Sequence, residues 1–206
     1  MSPDHGSRPQ EHQEDLVIQG AALDRPDGGV DIGEIARLVQ AREVQRTAPA
    51  VRRLCGALRH PEVSALLGAV DHAWVPAGRK LGDFGLVAMD MDSTLITIEC
   101  IDEIADMQGL KPQVAAITEA AMRGELDFAQ SLRQRVALLE GLPEQALQTV
   151  YDSRLQLNAG AQGLLDAAHA AGLHTLLVSG GFTFFTERLQ QRLVLRQSLA
   201  NTLEVS

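Results

Sequence analysis

The stretch GLVAMDMDST, residues 85–94, decides the fold of this chain. Its apolar half, Gly85 to Met89, predicts a short buried β-strand, and the polar residues Asp90 to Thr94 follow directly. A buried strand that ends in carboxylates and hydroxyls is typical of the carboxyl edge of a parallel sheet, where α/β enzymes bind their ligands. The stretch therefore predicts an α/β domain with an active site after this strand.

The spacing of Asp90 and Asp92 favours phosphoryl transfer. Asp90, at the end of the strand, is the predicted nucleophile, and Asp92, in the turn, is the predicted general acid and base. Attack by a carboxylate on an anionic phosphoryl group requires a cation, and Mg2+ prefers carboxylate, carbonyl and phosphate oxygens. The alternative interpretation is an Asx-rich turn with N-capping residues and no catalytic role.

A second cluster follows another predicted strand, His174 to Val178. The sequence Ser179-Gly180-Gly181 predicts a turn into a helix from Phe182 to Leu193, with glycine backbone N–H groups open to an anion. Neighbouring parallel strands would bring both clusters to one edge and form a phosphate site. A flexible turn without a ligand is the alternative. The residues Ala200 to Val205 predict the start of a further strand.

Between the two strands, glycines and N-capping residues predict several short helices without an intervening strand. This pattern indicates an inserted helical cap over about residues 98–157, before the α/β pattern returns. The predicted helices are Glu99–Gln108, Pro112–Arg123, Phe128–Glu140, one that begins at Pro143, and Gly160–Ala171.

The N-terminal part predicts a separate small domain without a nucleophile or phosphate loop before residue 85. Residues 1–14 are polar and are predicted to be a disordered tail. Residues 15–80 are predicted to be a small α+β accessory domain, and residues 81–206 the catalytic domain. Its predicted elements are a strand at Leu16–Ile18, a loop at 23–31, and helices at Ile32–Val44, Val51–Leu58 and Glu62–Val70.

The composition excludes several classes of partner. A net charge of −9 disfavours binding to nucleic acid and to anionic membranes. No apolar run approaches the roughly 20 residues that a membrane span needs. Because residues 1–13 are polar and lack an apolar signal core, we expect a cytoplasmic protein. The oligomeric state stays open.

Three stretches in this order resemble bacterial phosphoserine phosphatases of the haloacid dehalogenase superfamily. They are VAMDMDSTLITIECIDEIADMQG (87–109), AAMRGELDFAQSLRQRVALLEGL (120–142) and LLVSGGFTFFTERL (176–189). The resemblance covers about residues 80–206 and implies a Rossmann-like parallel sheet with an inserted helical cap. It also implies Mg2+-dependent hydrolysis of O-phosphoserine to serine and phosphate, the last step of serine biosynthesis, through a phosphoaspartyl intermediate. The L form is the implied substrate, and the D form is left open.

The resemblance assigns a role to eight residues of this sequence. Asp90 matches the nucleophile and a metal ligand, and Asp92 matches the acid/base residue, whose backbone carbonyl is a second metal ligand. The implied substrate contacts are Glu99 to the ammonium group, Arg135 to the carboxylate, Met122 and Phe128 as apolar cap residues, and Ser179 and Gly180 to the phosphate. Without the resemblance, Glu99 could be a first-turn helix acid, Arg135 a surface charge, and the two apolar residues part of the core.

The sequence departs from the family pattern near residue 206. The family has two further motifs, a phosphate-binding Lys and an acidic pair in a GDGxND-like loop. No Lys follows Lys111 and no Asp follows Asp166. We therefore expect a C-terminally truncated site with little or no turnover. The alternatives are a related phosphotransferase and a non-catalytic fragment that binds phospho-amino acids.

Overall fold

The computed structural model describes residues 14–24 and 29–204. The chain divides into two compact units between Lys80 and Leu81. Each unit has its own cluster of buried apolar side chains. The two units are therefore described separately.

The first unit is a four-stranded antiparallel sheet with two helices. Its strands lie in the order β2-β3-β1-β4, which with the chain order βαββαβ is a ferredoxin-like arrangement. The elements are β1 (Glu14–Gln19), α1 (Ile32–Leu38), β2 (Glu43–Ala48), β3 (Val51–Ala57), α2 (Val63–Leu67) and β4 (Asp71–Pro76).

Alternation along β1 supplies the core of this unit. Leu16 and Ile18 are fully buried and pack in one cluster with Ile35 and Val39 from the α1 region. Helix α1 begins where the Asp31 side chain accepts a hydrogen bond from the backbone N–H of Glu34. One face of the sheet is therefore covered by apolar side chains.

The structure corrects three predictions in this unit. The helix predicted at Val51–Leu58 is wrong, because these residues form β3, which pairs with both β1 and β2. The helix predicted at Ile32–Val44 ends at Leu38, since Gln40 has a φ of 51° and β2 follows. Strands β2 and β4 were not predicted. Pairing across the sheet, with the neighbouring strand for β2 and with the more distant β1 for β3 and β4, outweighs local periodicity here.

The predicted boundaries at the start of the chain fall partly outside the described residues. This applies to residues 1–13 of the predicted disordered tail and to residues 25–28 of the predicted loop. Glu14, which was placed in the tail, begins β1 instead. The third predicted helix, Glu62–Val70, is the shorter helix α2.

The second unit has the predicted α/β architecture, a parallel sheet of order β5-β6-β7 in which five helices lie between β5 and β6, the first four of them forming the helical insertion. The elements are β5 (Leu86–Met89), α3 (Cys100–Asp106), α4 (Lys111–Met122), α5 (Phe128–Ala137), α6 (Gln145–Ser153), α7 (Ala161–Ala170), β6 (His174–Phe182), α8 (Thr183–Leu193) and β7 (Gln197–Asn201). Within the described residues, no helix is long and apolar enough to span a membrane.

The helical insertion is joined to the sheet by two paired linkers. Ile96 and Leu157 form an antiparallel bridge, and the backbone N–H of Thr97 donates to Gln156 O at 2.9 Å. The side chain of Asn158 donates to the carbonyls of Thr94 and Ile96. Helices α3 to α6 thus leave and return to the sheet at one place, beside the end of β5.

The structure also corrects the interpretation of Ser179-Gly180-Gly181. These residues lie inside β6 and not in a turn, and α8 begins only at Thr183. The pairing of β6 with β7 shifts register between Val178 and Phe182, which is typical of a bulge. The last strand, predicted from Ala200, begins earlier, at Gln197.

Candidate active site

A cavity of about 190 Å3 lies where β5 ends and the bulge of β6 begins. It brings together six of the eight residues predicted from the sequence and adds Ile101, Leu132 and Gly181. The predicted residues that line it are Asp90, Asp92, Glu99, Phe128, Arg135 and Gly180. Residues 40 or more positions apart in the chain therefore meet at one edge of the sheet.

The turn after β5 sets the direction of the two aspartates. Met91 points into the core and is fully buried, and its carbonyl accepts from the backbone N–H of Ile96 at 3.0 Å. Asp92 (φ −65°, ψ 132°) and Ser93 (φ 55°, ψ 8°) depart from helical geometry inside this turn. This irregular turn leaves Asp90 and Asp92 on the cavity while Met91 anchors the segment.

Asp92 is held by groups from two other segments. The backbone N–H of Cys100, at the start of α3, donates to Asp92 Oδ1 at 2.9 Å, and Ser179 Oγ donates to Oδ2 over a longer 3.4 Å. Burial raises the pKa of Asp92 above its ordinary value, and the nearby Glu99 and Asp90 raise it further, while the hydrogen bonds from Cys100 oppose the shift. This environment favours a protonated Asp92, as a general acid needs.

The bulge of β6 leaves little room for side chains at its two glycines. A Cβ on Gly180 would lie 3.1 Å from Phe128 Cζ, and a Cβ on Gly181 would lie 3.1 Å from Asp92 Oδ2. The peptide between them is fixed on both sides, because Asn201 Nδ2 donates to Gly180 O and the Gly181 N–H donates to Ser179 Oγ, each at 2.9 Å. The glycines thus allow the backbone of β6 to form one wall of the cavity.

Helix α5 supplies the opposite wall. Phe128, Leu132 and Arg135 follow the i, i+4, i+7 spacing of one helix face, and all three line the cavity. The helix begins with a capping box, in which Asp127 and Gln130 exchange side-chain and backbone hydrogen bonds. This cap fixes the first turn and with it the position of the exposed Phe128 ring.

Two charged side chains of opposite sign, Glu99 and Arg135, also line the cavity. Arg135 Nε is buried and has no hydrogen-bond partner among the described residues. Glu99 Oε1 accepts a hydrogen bond from Ser93 Oγ at 2.6 Å. A buried donor without a partner is costly, so Arg135 Nε would be stabilised by any acceptor that reached it.

Two predicted residues do not line the cavity. Met122, at the end of α4, is 84% exposed. Ser179 is only 8% exposed and reaches the site through its hydrogen bond to Asp92. Among the residues that sequence reasoning missed, Leu132 had a signal in its spacing from Phe128, whereas the contact of Asn201 with the bulge had none.

The carboxylates at the cavity could hold a divalent cation only with help from other oxygens. No group of three or more His, Cys, Asp or Glu side chains suited to a metal ion occurs among residues 14–24 and 29–204. A hard cation that keeps several waters needs only one or two carboxylates besides phosphate oxygens. The Asp90 side chain and the Asp92 backbone carbonyl are compatible with that demand.

A larger cavity, of about 490 Å3, is less suited to a phosphate ester. It lies beside the loop between α5 and α6 and includes Leu203 and Glu204. Its charged lining residues are Glu140, Glu144 and Glu204, with no Lys or Arg. Because three carboxylates would repel a phosphate, size alone does not identify the site.

Comparison with known proteins places this site in a family. Residues 84–205 match the haloacid dehalogenase-like hydrolases. The chain belongs to this family. The match covers β5, the helical insertion, the bulge of β6 and β7, so every residue that lines the 190 Å3 cavity falls inside it.

Individual members of the family give a more specific likeness. The chain is 58% identical over 127 residues to a phosphoserine phosphatase of Albidiferax ferrireducens, a match over 61% of this chain and 54% of the relative. A haloacid dehalogenase family hydrolase from Salmonella enterica serovar Typhi superposes with a TM-score of 0.76 at 28% identity, over 95% of this chain and 70% of that structure. A probable phosphoserine phosphatase from Vibrio cholerae superposes with a TM-score of 0.71 at 33% identity, over 95% of this chain and 60% of that structure.

The chain spans about half the length of the curated relatives it matches. The predicted membership in the haloacid dehalogenase superfamily and the predicted α/β fold are confirmed. The second unit is accordingly a domain of a hydrolase family, with the aspartate pair at one edge of its parallel sheet.

Proposed function

We propose that the second unit carries the substrate site of a Mg2+-dependent phosphatase that hydrolyses O-phosphoserine. The observation that carries this proposal is the juxtaposition, around one cavity of about 190 Å3, of the Asp90 and Asp92 pair with Glu99 and Arg135. A phosphate ester needs the first pair, and the ammonium and carboxylate of an amino acid suit the charges of the second. The relatives that are named phosphoserine phosphatases support this substrate.

In the first half of the reaction, an Asp90 carboxylate oxygen attacks phosphorus and the bond from phosphorus to the serine oxygen breaks. Asp92 gives its proton to the departing serine oxygen, and the raised pKa of Asp92 supports this role. In the second half, a water molecule attacks the phosphoaspartyl group, Asp92 takes its proton, and phosphate leaves with Asp90 regenerated.

The ion and the bulge complete the proposed charge balance. The Asp90 carboxylate and the Asp92 backbone carbonyl would hold Mg2+, which when bound offsets the negative charges of the phosphate and the carboxylates. Ser179 and the backbone around Gly180 are proposed to contact phosphate oxygens, since donors aimed at developing charge supply a large part of catalysis. Phe128 is proposed to cover the bound substrate.

Replacement of Asp90 tests the proposal. Asp90→Asn keeps the size of the side chain and removes the nucleophilic charge, so turnover of O-phosphoserine should fall below detection. The assay uses the whole protein, including any sequence that its gene encodes beyond Ser206. Rapid quenching with phosphorus-labelled substrate should trap label on the parent protein and none on the variant.

Asp166→Asn is the matched control, because Asp166 lies on α7 and accepts a hydrogen bond only from Gln162 within the described residues. This control should turn over at the parent rate. Full activity in Asp90→Asn, or no labelled protein in the parent, would contradict the covalent mechanism. Release of the label to a second alcohol instead of water would identify a phosphotransferase.

A further inference from the structure

Ser93 makes a contact that the proposed chemistry does not use. Its Oγ donates to Glu99 Oε1 at 2.6 Å, across the turn between β5 and α3. Within the described residues, Glu99 Oε2 accepts no hydrogen bond, and Glu99 lines the cavity. One carboxylate oxygen is thus held by the protein while the other is left for a ligand.

The backbone of Ser93 is held in a conformation that serine rarely adopts. Its φ of 55° and ψ of 8° lie in the left-handed region, which disfavours residues with a side chain. Such conformations persist only where the surrounding structure enforces them, and they cluster at functional sites. Here the conformation places the hydroxyl group against Glu99, six residues later in the chain.

Contacts on both sides of the loop enforce this conformation. The backbone N–H of Ser93 donates to Ile98 O at 3.1 Å, which closes the loop at its base. The Asn158 side chain donates to Thr94 O at 2.9 Å and to Ile96 O at 3.1 Å. The linker that returns from the helical insertion therefore braces the loop from outside, and the hydrogen bond to Glu99 is made within a fixed frame.

We propose that Ser93 is a positioning residue for substrate recognition, which orients Glu99 so that Oε2 meets the ammonium group of the substrate. This inference rests on the proposed function, because it takes Glu99 as the ammonium contact. Ser93 then sets the preference for phosphate esters with an ammonium group two carbons from the ester oxygen. It acts through Glu99 and not on the phosphate.

The test measures binding and turnover in the whole protein with Ser93→Ala and Ser93→Gly. Both variants lose the hydroxyl group, and the glycine variant also accepts a φ of 55° without strain, so loss of folding cannot explain a shared defect. KM for O-phosphoserine should rise about tenfold or more in both, since hydrogen bonds to charged groups are the stronger ones. The fall in kcat should be much smaller.

A matched substrate and a double mutant separate positioning from general damage. The ester 3-phosphooxypropionate keeps the carboxylate and lacks the ammonium group, so the ratio of kcat/KM for O-phosphoserine to that for this analogue should fall about tenfold. In a Glu99→Gln background, Ser93→Ala should add little, because its effect passes through Glu99. Ser153→Ala, which removes a hydroxyl hydrogen bond at the end of α6, is the control and should leave the ratio unchanged.

Two outcomes would overturn the inference. One is an unchanged ratio of kcat/KM for O-phosphoserine to that for 3-phosphooxypropionate in both Ser93 variants. The other is a loss of kcat/KM in Ser93→Ala that adds fully to the loss in Glu99→Gln. Failure of the proposed function has a different signature, in which the parent protein does not prefer O-phosphoserine over 3-phosphooxypropionate. Calorimetric binding of the phosphonate 2-amino-4-phosphonobutyrate gives the same comparison without turnover, with the Kd expected to rise about tenfold in both variants.

Discussion

Replacement of Arg135 by methionine should weaken substrate binding without a large loss of stability. Methionine keeps much of the aliphatic stem and removes the guanidinium group, whose Nε is buried without a hydrogen-bond partner among the described residues. Removal of an unmet buried donor recovers about 1–3 kcal/mol. The lost attraction to Asp102 opposes this gain. We therefore expect the free energy of unfolding to change by about 1 kcal/mol or less, within the ordinary range for point variants.

The expected loss of binding follows from the burial of Arg135. Truncation of one partner of a desolvated charge pair costs about 2–5 kcal/mol, and because Arg135 is only half-buried the lower end, about 2–3 kcal/mol, applies. At about 1.4 kcal/mol for each factor of ten, KM for O-phosphoserine should rise about 30- to 150-fold. The same variant should affect O-phosphoethanolamine much less, because this ester keeps the ammonium group and lacks the carboxylate.

The assay compares kcat/KM for the two esters in the parent, in Arg135→Met and in the control Arg133→Met. Arg133 is an exposed residue of the same helix, so its replacement should change neither value. Thermal unfolding without ligand provides the stability comparison. Equal losses on both esters, or a loss of about 3 kcal/mol or more in stability, would mean that Arg135 holds the helix in place and does not recognise the carboxylate.

Two other perturbations have distinct expected results. Gly181→Ala should lower kcat about 10²-fold or more, because the new Cβ would lie 3.1 Å from Asp92 Oδ2. Gly180→Ala should lower kcat less, because its Cβ would meet only the exposed ring of Phe128. Steady-state kinetics on both variants checks that Gly181→Ala has the larger loss. The hydrogen bond from Arg154 lowers the pKa of Glu103 in the folded protein. The stability that this ion pair adds is therefore fully present above the ordinary carboxyl pKa, and it is lost as the pH falls through the lowered pKa of the folded state. Arg154→Gln should therefore destabilise the protein near pH 7 and much less near pH 3, and a destabilisation that is equal at both pH values in urea unfolding would refute the role of this ion pair.

The arrangement of the second unit was largely predictable from local sequence. The apolar run before Asp90 and the glycines after α3, α4 and α5 mark boundaries that the structure keeps within a few residues. Helix α5 begins at Phe128 as predicted, because the cap formed by Asp127 depends only on residues within one turn. Signals of this kind act over three or four positions, so they do not depend on the tertiary fold of the rest of the chain.

The first unit shows where local signals fail. Val51 to Ala57 was interpreted as a helix, yet the segment forms a central strand between β1 and β2. Its partners along β1 lie more than 30 residues earlier, so no window of neighbouring residues contains this half of its pairing. Strand formation depends on packing and pairing across the sheet more than on the intrinsic preference of each residue.

By itself, the sequence determined which residues are candidates for the site: the aspartates after β5, the Ser-Gly-Gly stretch, and the charged pair Glu99 and Arg135. Only the tertiary structure decided where each of them lies. It placed Ser179 in a bulged strand and not in a turn, and left Met122 outside the cavity. It also gave Ser93 a left-handed backbone conformation, from which the Ser93 hydroxyl group donates a hydrogen bond to Glu99. The reason is physical, since residue type sets what a side chain can do, whereas distances, burial and pKa shifts arise from segments that meet only when the chain is folded.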